Sequence, residues 1–156
     1  MNSSEILLLN FAEIRRRSIK LWGGLTPAFY FWKPDVNAMS CLEMVRHVLE
    51  SEHLFHIIIN NRGNLGDYAS PWADRPYVNL DSELVFAESY RQDLLTTIKG
   101  FSPDDLNNIE IIRSEKGQRR KLGDYILRVA YHESVHAGQL LSYMRQLGLE
   151  RPLIWD

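Results

Sequence analysis

Apolar residues recur at alternating spacings of three and four over four stretches of the chain, the mark of helices that each bury one face. Over residues 3–25, Leu7, Phe11, Ile14, Leu21 and Leu25 draw such a seam, interrupted by Ser18 and closed by Gly23 and Gly24. A second helix is predicted to start at Ser40, which stands at capping-box spacing from Glu43, and to run through Leu42, Val45, Leu49 and Phe55 to about Asn60. A third takes Asp81 as its N-cap and continues through Leu84, Ala87, Leu94 and Ile98 to Gly100. The fourth spans Leu122 to Leu147 with Gly148 at its end. Its inward set is Leu122, Ile126, Val129, Glu133, His136, Leu140, Tyr143 and Leu147. The pattern predicts an all-α fold, a four-helix bundle.

The connections are long. Thr26 to Met39 carries Phe29, Tyr30, Phe31, Trp32 and Pro34, and Asn61 to Leu80 carries Tyr68, Trp72, Pro71, Pro76 and Tyr77. Connections of this length inside a compact domain often line or cover a site. Ser102-Pro103 opens a further short helix with proline at its first position. Ile109 to Ile112 and Gln118 to Lys121 flank Lys116-Gly117 as a possible small hairpin before the last helix. The tail, Arg151 to Asp156, is expected to be extended and to pack back. No repeat or boundary divides residues 1–156, which read as one domain.

Composition adds exclusions. A formal net charge of -2 gives no basic face for nucleic acid, and Arg15-Arg16-Arg17 and Arg119-Arg120-Lys121 read as short solvated runs. Cys41 is the only cysteine, so no intrachain disulfide can form. The N-terminal segment lacks a basic signal region and no apolar run reaches a membrane span, which leads to the expectation of a soluble, cytoplasmic protein without a membrane partner.

The chemistry concentrates in Tyr131-His132-Glu133-Ser134-Val135-His136-Ala137-Gly138-Gln139-Leu140. On a helix, His132 and His136 lie one turn apart on one face, as half of a divalent-metal site. Tyr125, Gln139 and Tyr143 share that stripe. The second helix holds His47, His53 and His56, but at 100° per residue His53 and His56 project about 240° and about 180° from His47, so at most one can face a given helix. His47 lies near the helix start, while His53 and His56 are expected on the surface or in secondary contacts. Three imidazoles from two helices would leave open positions on a metal, the layout of a reactive site. Cys41 sits about 9 Å along the helix from His47, too far to add a fourth ligand. His132-Glu133-x-x-His136 also fits the zinc-protease pattern in which the glutamate is the general base, but the downstream third histidine of the extended form is missing.

Trp32 and Pro34 before the second helix, His47 followed by Glu52 within it, and His-x-x-x-His-x-Gly-Gln-Leu from His132 to Leu140 together resemble the DinB-like family, named for damage-inducible proteins. The resemblance implies a four-helix bundle holding a divalent metal through His47, His132 and His136; imidazole ligands suit zinc, nickel, copper or iron, with zinc or nickel favoured. It also implies thiol-dependent transfer or isomerisation on small molecules with a low-molecular-weight thiol as cosubstrate, and a possible homodimer. Glu133 or Glu52 would orient the site or shuttle a proton, with Gln139 and Tyr143 near the pocket. Many members carry Arg where Ala137 stands, and some carry another His where Arg128 stands. A metal-dependent hydrolase, or a stress-response or binding module with a structural metal, is the alternative.

Overall fold

Each long helix except the last begins in a reciprocal cap. Asn2 accepts a hydrogen bond from the Glu5 backbone N–H while the Glu5 carboxylate accepts one from the Asn2 N–H, and Ser40 and Glu43 do the same for the second helix. Such caps satisfy N–H groups that the helix itself cannot. The computed structural model describes all 156 residues and builds α1 (Ser3–Trp22), α2 (Cys41–Asn61), α3 (Leu80–Gly100), a short α4 (Pro103–Asn108) and α5 (Leu122–Gln146). Between α4 and α5 lies the expected hairpin, β1 (Glu110–Arg113) paired antiparallel with β2 (Gln118–Lys121), with Gly117 at φ +61° in its turn. The third helix starts earlier than the sequence pattern suggested. Asn79 is its cap, bonded to the Ser82 N–H at 2.8 Å, and Asp81 falls inside the first turn, where its charge complements the helix dipole.

Four long helices close a ring: α1 packs on α3 and α5, and α2 packs on the same two. The buried apolar residues form two clusters. One gathers Leu21, Trp22, Val45, Leu49, Ala87, Leu140 and Met144, the other Phe11, Ile58, Leu94, Ile98, Ile126 and Val129. Along α1 and α5 the chain runs from the second cluster to the first, and along α2 and α3 it runs the other way. Neighbours α2 and α3 are therefore parallel, which explains the long segment between them. It must return along the bundle, and on the way it buries Trp72 in the first cluster. Where it leaves α2, Gly63 lets the backbone lie against β1, since a Cβ there would stand 2.4 Å from the Ile112 carbonyl oxygen.

That crossover is pinned by an ion pair. Arg46 donates to both oxygens of Glu83, at 2.9 and 2.6 Å, and to the carbonyls of Arg75 and Pro76, with the Tyr77 ring 3.6 Å from its guanidinium carbon. The tail packs back as expected. Ile154 is buried, and Asp156 pairs with Arg16 and Lys20. No helix is long and apolar enough to cross a membrane.

Candidate metal centre

Where α2 faces α5, the imidazoles of His47, His132 and His136 converge. Their Nε2 atoms are the meeting points: His132 Nε2 lies 3.1 Å from that of His47 and 3.1 Å from that of His136. One potential ligand atom from each residue falls within 4.8 Å of the others, so the group could hold a metal ion. Two imidazole nitrogens on a tetrahedral zinc with bonds of 2.0–2.1 Å are separated by roughly 3.3 Å, close to the spacing found. The helical-face argument is met here, because His47 alone of the α2 histidines points at α5.

The electrostatics favour neutral rings at His132 and His47. Burial, with His136 and His47 nearby, pushes His132 down to about 4, and burial with His136 holds His47 below its ordinary value. A metal needs the unprotonated imidazole, so both shifts suit a ligand. The Gln139 side-chain oxygen lies 2.6 Å from His136 Nδ1 and accepts its N–H, the tautomer that leaves Nε2 free to face the other two rings. Phe55 packs edge-on against His132 at 5.7 Å between ring centroids.

The other expected site residues lie elsewhere. Glu133 and Glu52 belong to a buried cluster at the junction of the two apolar clusters, to which each long helix contributes one charge. Arg15 from α1 donates through Nε and Nη2 to the two Glu133 oxygens, at 2.9 and 3.0 Å, and through Nη2 to Glu52 at 3.2 Å. Arg91 from α3 donates to the same Glu52 oxygen and, at 2.9 Å, to the Phe11 carbonyl. Burial alone would raise Glu133, but the Arg15 guanidinium outweighs it and holds the carboxyl low. Tyr143 stacks edge-on against Trp32, 5.4 Å between centroids.

One placement corrects the sequence reading. Arg15 is buried, not part of a solvated run, while Arg16 and Arg17 stay at the surface. His56 and His53 both take secondary contacts: His56 is buried and bonded to Thr97 at 2.9 Å, and His53 packs among Tyr68, Trp72 and Tyr90. The overlooked Arg15 did carry a signal. Phe11, Arg15, Ser18 and Trp22 follow each other at four, three and four, so Arg15 sits on the apolar seam of α1.

Cavities open on both sides of the histidines. One of about 430 Å³ is lined by Phe55, Arg120, Arg128, Tyr131, His132 and Val135. The other, of about 210 Å³, is lined by Met39, Glu43, Arg46, His47, Glu50 and Tyr77.

The family model for the DinB superfamily matches residues 10–140. The uncharacterized protein YjoA of Bacillus subtilis (strain 168) is 28% identical over 149 residues, covering 95% of this chain and 93% of that one. The crystal structure of a DinB-like protein, YjoA from Bacillus subtilis, superposes with a TM-score of 0.68 at 24% identity, covering 95% of this chain and 96% of that chain. That likeness establishes the fold, and the family match over most of the chain makes the protein a member of the DinB superfamily.

Proposed function

We propose that the protein binds one divalent ion, zinc or nickel, through the Nε2 atoms of His47, His132 and His136, and acts as a thiol S-transferase on small molecules. The observation that carries the metal is the convergence of three Nε2 atoms from two helices, two of their separations being 3.1 Å, with no carboxylate or thiol among them. Imidazole donors suit late transition metals. Once bound, the ion would supply Lewis acidity, making a thiol or a water more acidic near neutral pH.

The chain's own residues do the rest. Gln139 orients His136, Phe55 walls His132, and the half-buried imidazoles give the reacting groups a site partly shielded from water. The thiol cosubstrate rests on the family resemblance. Against the hydrolase reading stands the position of Glu133. A general base must reach the proton it removes, and both Glu133 oxygens are held by Arg15 inside the bundle.

Elemental analysis and metal titration of the wild type and of His47→Ala, His132→Ala and His136→Ala test the site. One ion per chain, lost in each variant, is expected; unchanged stoichiometry would end the proposal. For the reaction, metal-loaded protein is mixed with 1-chloro-2,4-dinitrobenzene and several low-molecular-weight thiols, and peptide and ester hydrolysis are run beside it. Conjugation needing both metal and thiol supports the transferase. Metal-dependent hydrolysis abolished by Glu133→Gln would make it a hydrolase instead. Neither reaction above the metal-free control would leave a binding module.

A further inference from the structure

The two cavities beside the histidines differ in sign. On the His47 side, Glu43 and Glu50 line the wall, and the one guanidinium there, Arg46, already has both oxygens of Glu83 and two carbonyls as partners. On the His132 side the charged walls are Arg120 and Arg128. Arg120 pairs at the surface with Asp124 at 2.8 Å, a contact that water weakens. Arg128 has no carboxylate partner. Its polar contact is the neutral side-chain oxygen of Gln118 at 3.2 Å, and its guanidinium carbon lies 5.6 Å from the Tyr125 ring centroid. Arg128 stands one helical turn before His132 on α5, close enough to bear on the charge of that imidazole.

An unpaired guanidinium in a part-buried wall is a costly thing to keep, and its fork geometry matches a carboxylate or a phosphate in two parallel hydrogen bonds. The rest of the lining is apolar: Phe55 comes from α2, and Tyr131 and Val135, 70% and 41% exposed, follow Arg128 at three and seven residues on the same stripe of α5. A cavity of about 430 Å³ has room for a small organic molecule. We propose that the cavity beside His132 takes an organic anion, its apolar body against Phe55, Tyr131 and Val135 and its carboxylate or phosphate on Arg128, and that the substrate of the histidine site is of this class. The substrate assignment rests on the function proposed above, while the anion site stands on its own geometry.

The test therefore begins without metal. Full-length protein treated with chelator is titrated with benzoate, phenyl phosphate and the neutral control benzamide, by calorimetry and by amide chemical shifts, and the series is repeated after zinc is added. Benzoate or phenyl phosphate should bind at least tenfold more tightly than benzamide, with shifts centred on Phe55, Tyr131 and Val135, and the tighter of the two identifies the anion. Arg128→Gln should cost roughly tenfold in anion affinity and nothing for benzamide, and Arg128→Lys should recover part of the loss. Arg128 is half-buried at the rim of α5, and the helix signal of each variant checks the fold. Equal binding of benzamide and the anions, an unchanged Arg128→Gln, or shifts centred on the Met39 to Tyr77 side would overturn the inference. The two ideas fail separately. Anion preference without zinc binding removes the metal and keeps the cavity, and zinc binding without anion preference does the reverse.

Discussion

At the same level of the bundle stand two polar inclusions of opposite character. The three histidines between α2 and α5 are half-buried, and their nitrogens point at one another with nothing of the protein to join them. The four charges Arg15, Glu52, Arg91 and Glu133 are buried, and each guanidinium meets a carboxylate. The first arrangement leaves three imidazole nitrogens that a cation could join. The second is complete, two positive and two negative groups that neutralise each other. Adjacent residues on α5, His132 and Glu133, go one to each, because a step of 100° turns the second away from α2 and into the bundle. A residue can thus border the histidine triad in sequence and serve the fold.

If that division holds, the largest stability effect comes from breaking the complete cluster. Arg15→Met leaves Glu133 and part of Glu52 buried without compensation, and should cost about 3–5 kcal/mol, or on the order of 10 °C in melting temperature. Adding Glu133→Leu to that variant should recover a good part of the loss, since a hydrophobic replacement of a whole buried pair is often near neutral. Urea denaturation of the single and double variants measures both. A double variant as unstable as the sum of its parts would mean that the four charges act independently.

The sequence exposed one of these inclusions and hid the other for a physical reason. His132 and His136 repeat at a helical interval and are rare enough to stand out, and the caps at Ser40 with Glu43 and at Ser102 are local rules with local partners. Arg46 and Arg91 look like any surface arginine until their carboxylate partners, 37 or more residues away, are known, and Arg15 shows only its place on the α1 seam and not its partners. Asp81 and Asn79 are both good caps by residue type, and it is Asn79 whose side chain accepts from the Ser82 N–H. The parallel course of α2 and α3 depends in the same way on which apolar residues share a cluster. In the sequence Arg128 is no more than a departure from a family pattern. Its meaning came from the cavity wall, which periodicity does not describe.

Metal removal should be the next largest effect, and a different one in kind. With free zinc at a hundred times its dissociation constant, the bound ion would contribute about 2.7 kcal/mol, so chelation should lower the melting temperature by several degrees while most of the far-UV helix signal remains. The apolar clusters and the charge cluster hold the bundle without it. Collapse of helicity on chelation would show that the histidine site carries the fold, and would erase the contrast with the charge cluster.

Gln139→Leu addresses the histidine site more gently. It removes the acceptor from His136 Nδ1 and leaves all three imidazoles in place. Zinc affinity should fall about 10- to 100-fold with the unfolding midpoint of the metal-free protein nearly unchanged, as competition with a chelating dye would measure. Affinity within twofold of the wild type would mean that helix geometry alone orients His136.

The smallest effect, and the finest separation of the two inclusions, is in acid. His132, down to about 4, and His47 and His56, lowered chiefly by burial, bind protons more readily in the unfolded chain, where histidine titrates near about 6.5. Their neutral forms therefore stabilise the metal-free fold fully above about 6.5, and that contribution drains away as pH falls toward the folded values. Glu133 titrates later, since Arg15 holds it low. Its contribution is present above the ordinary carboxylate range near about 4.3 and is lost as pH falls through its depressed value. Glu52, which burial raises against the pull of Arg15 and Arg91, runs the other way and blunts that second step. Unfolding free energy measured from pH 8 to 3 should thus decline first through the imidazole range. Saturating zinc should deepen that first decline, because only unprotonated ligands bind it, and His132→Ala should make it shallower in the metal-free protein while leaving the carboxylate step in place. A first decline untouched by both zinc and His132→Ala would place it with His56 and the rest of the core, and the triad would then have no part in the acid response of the fold.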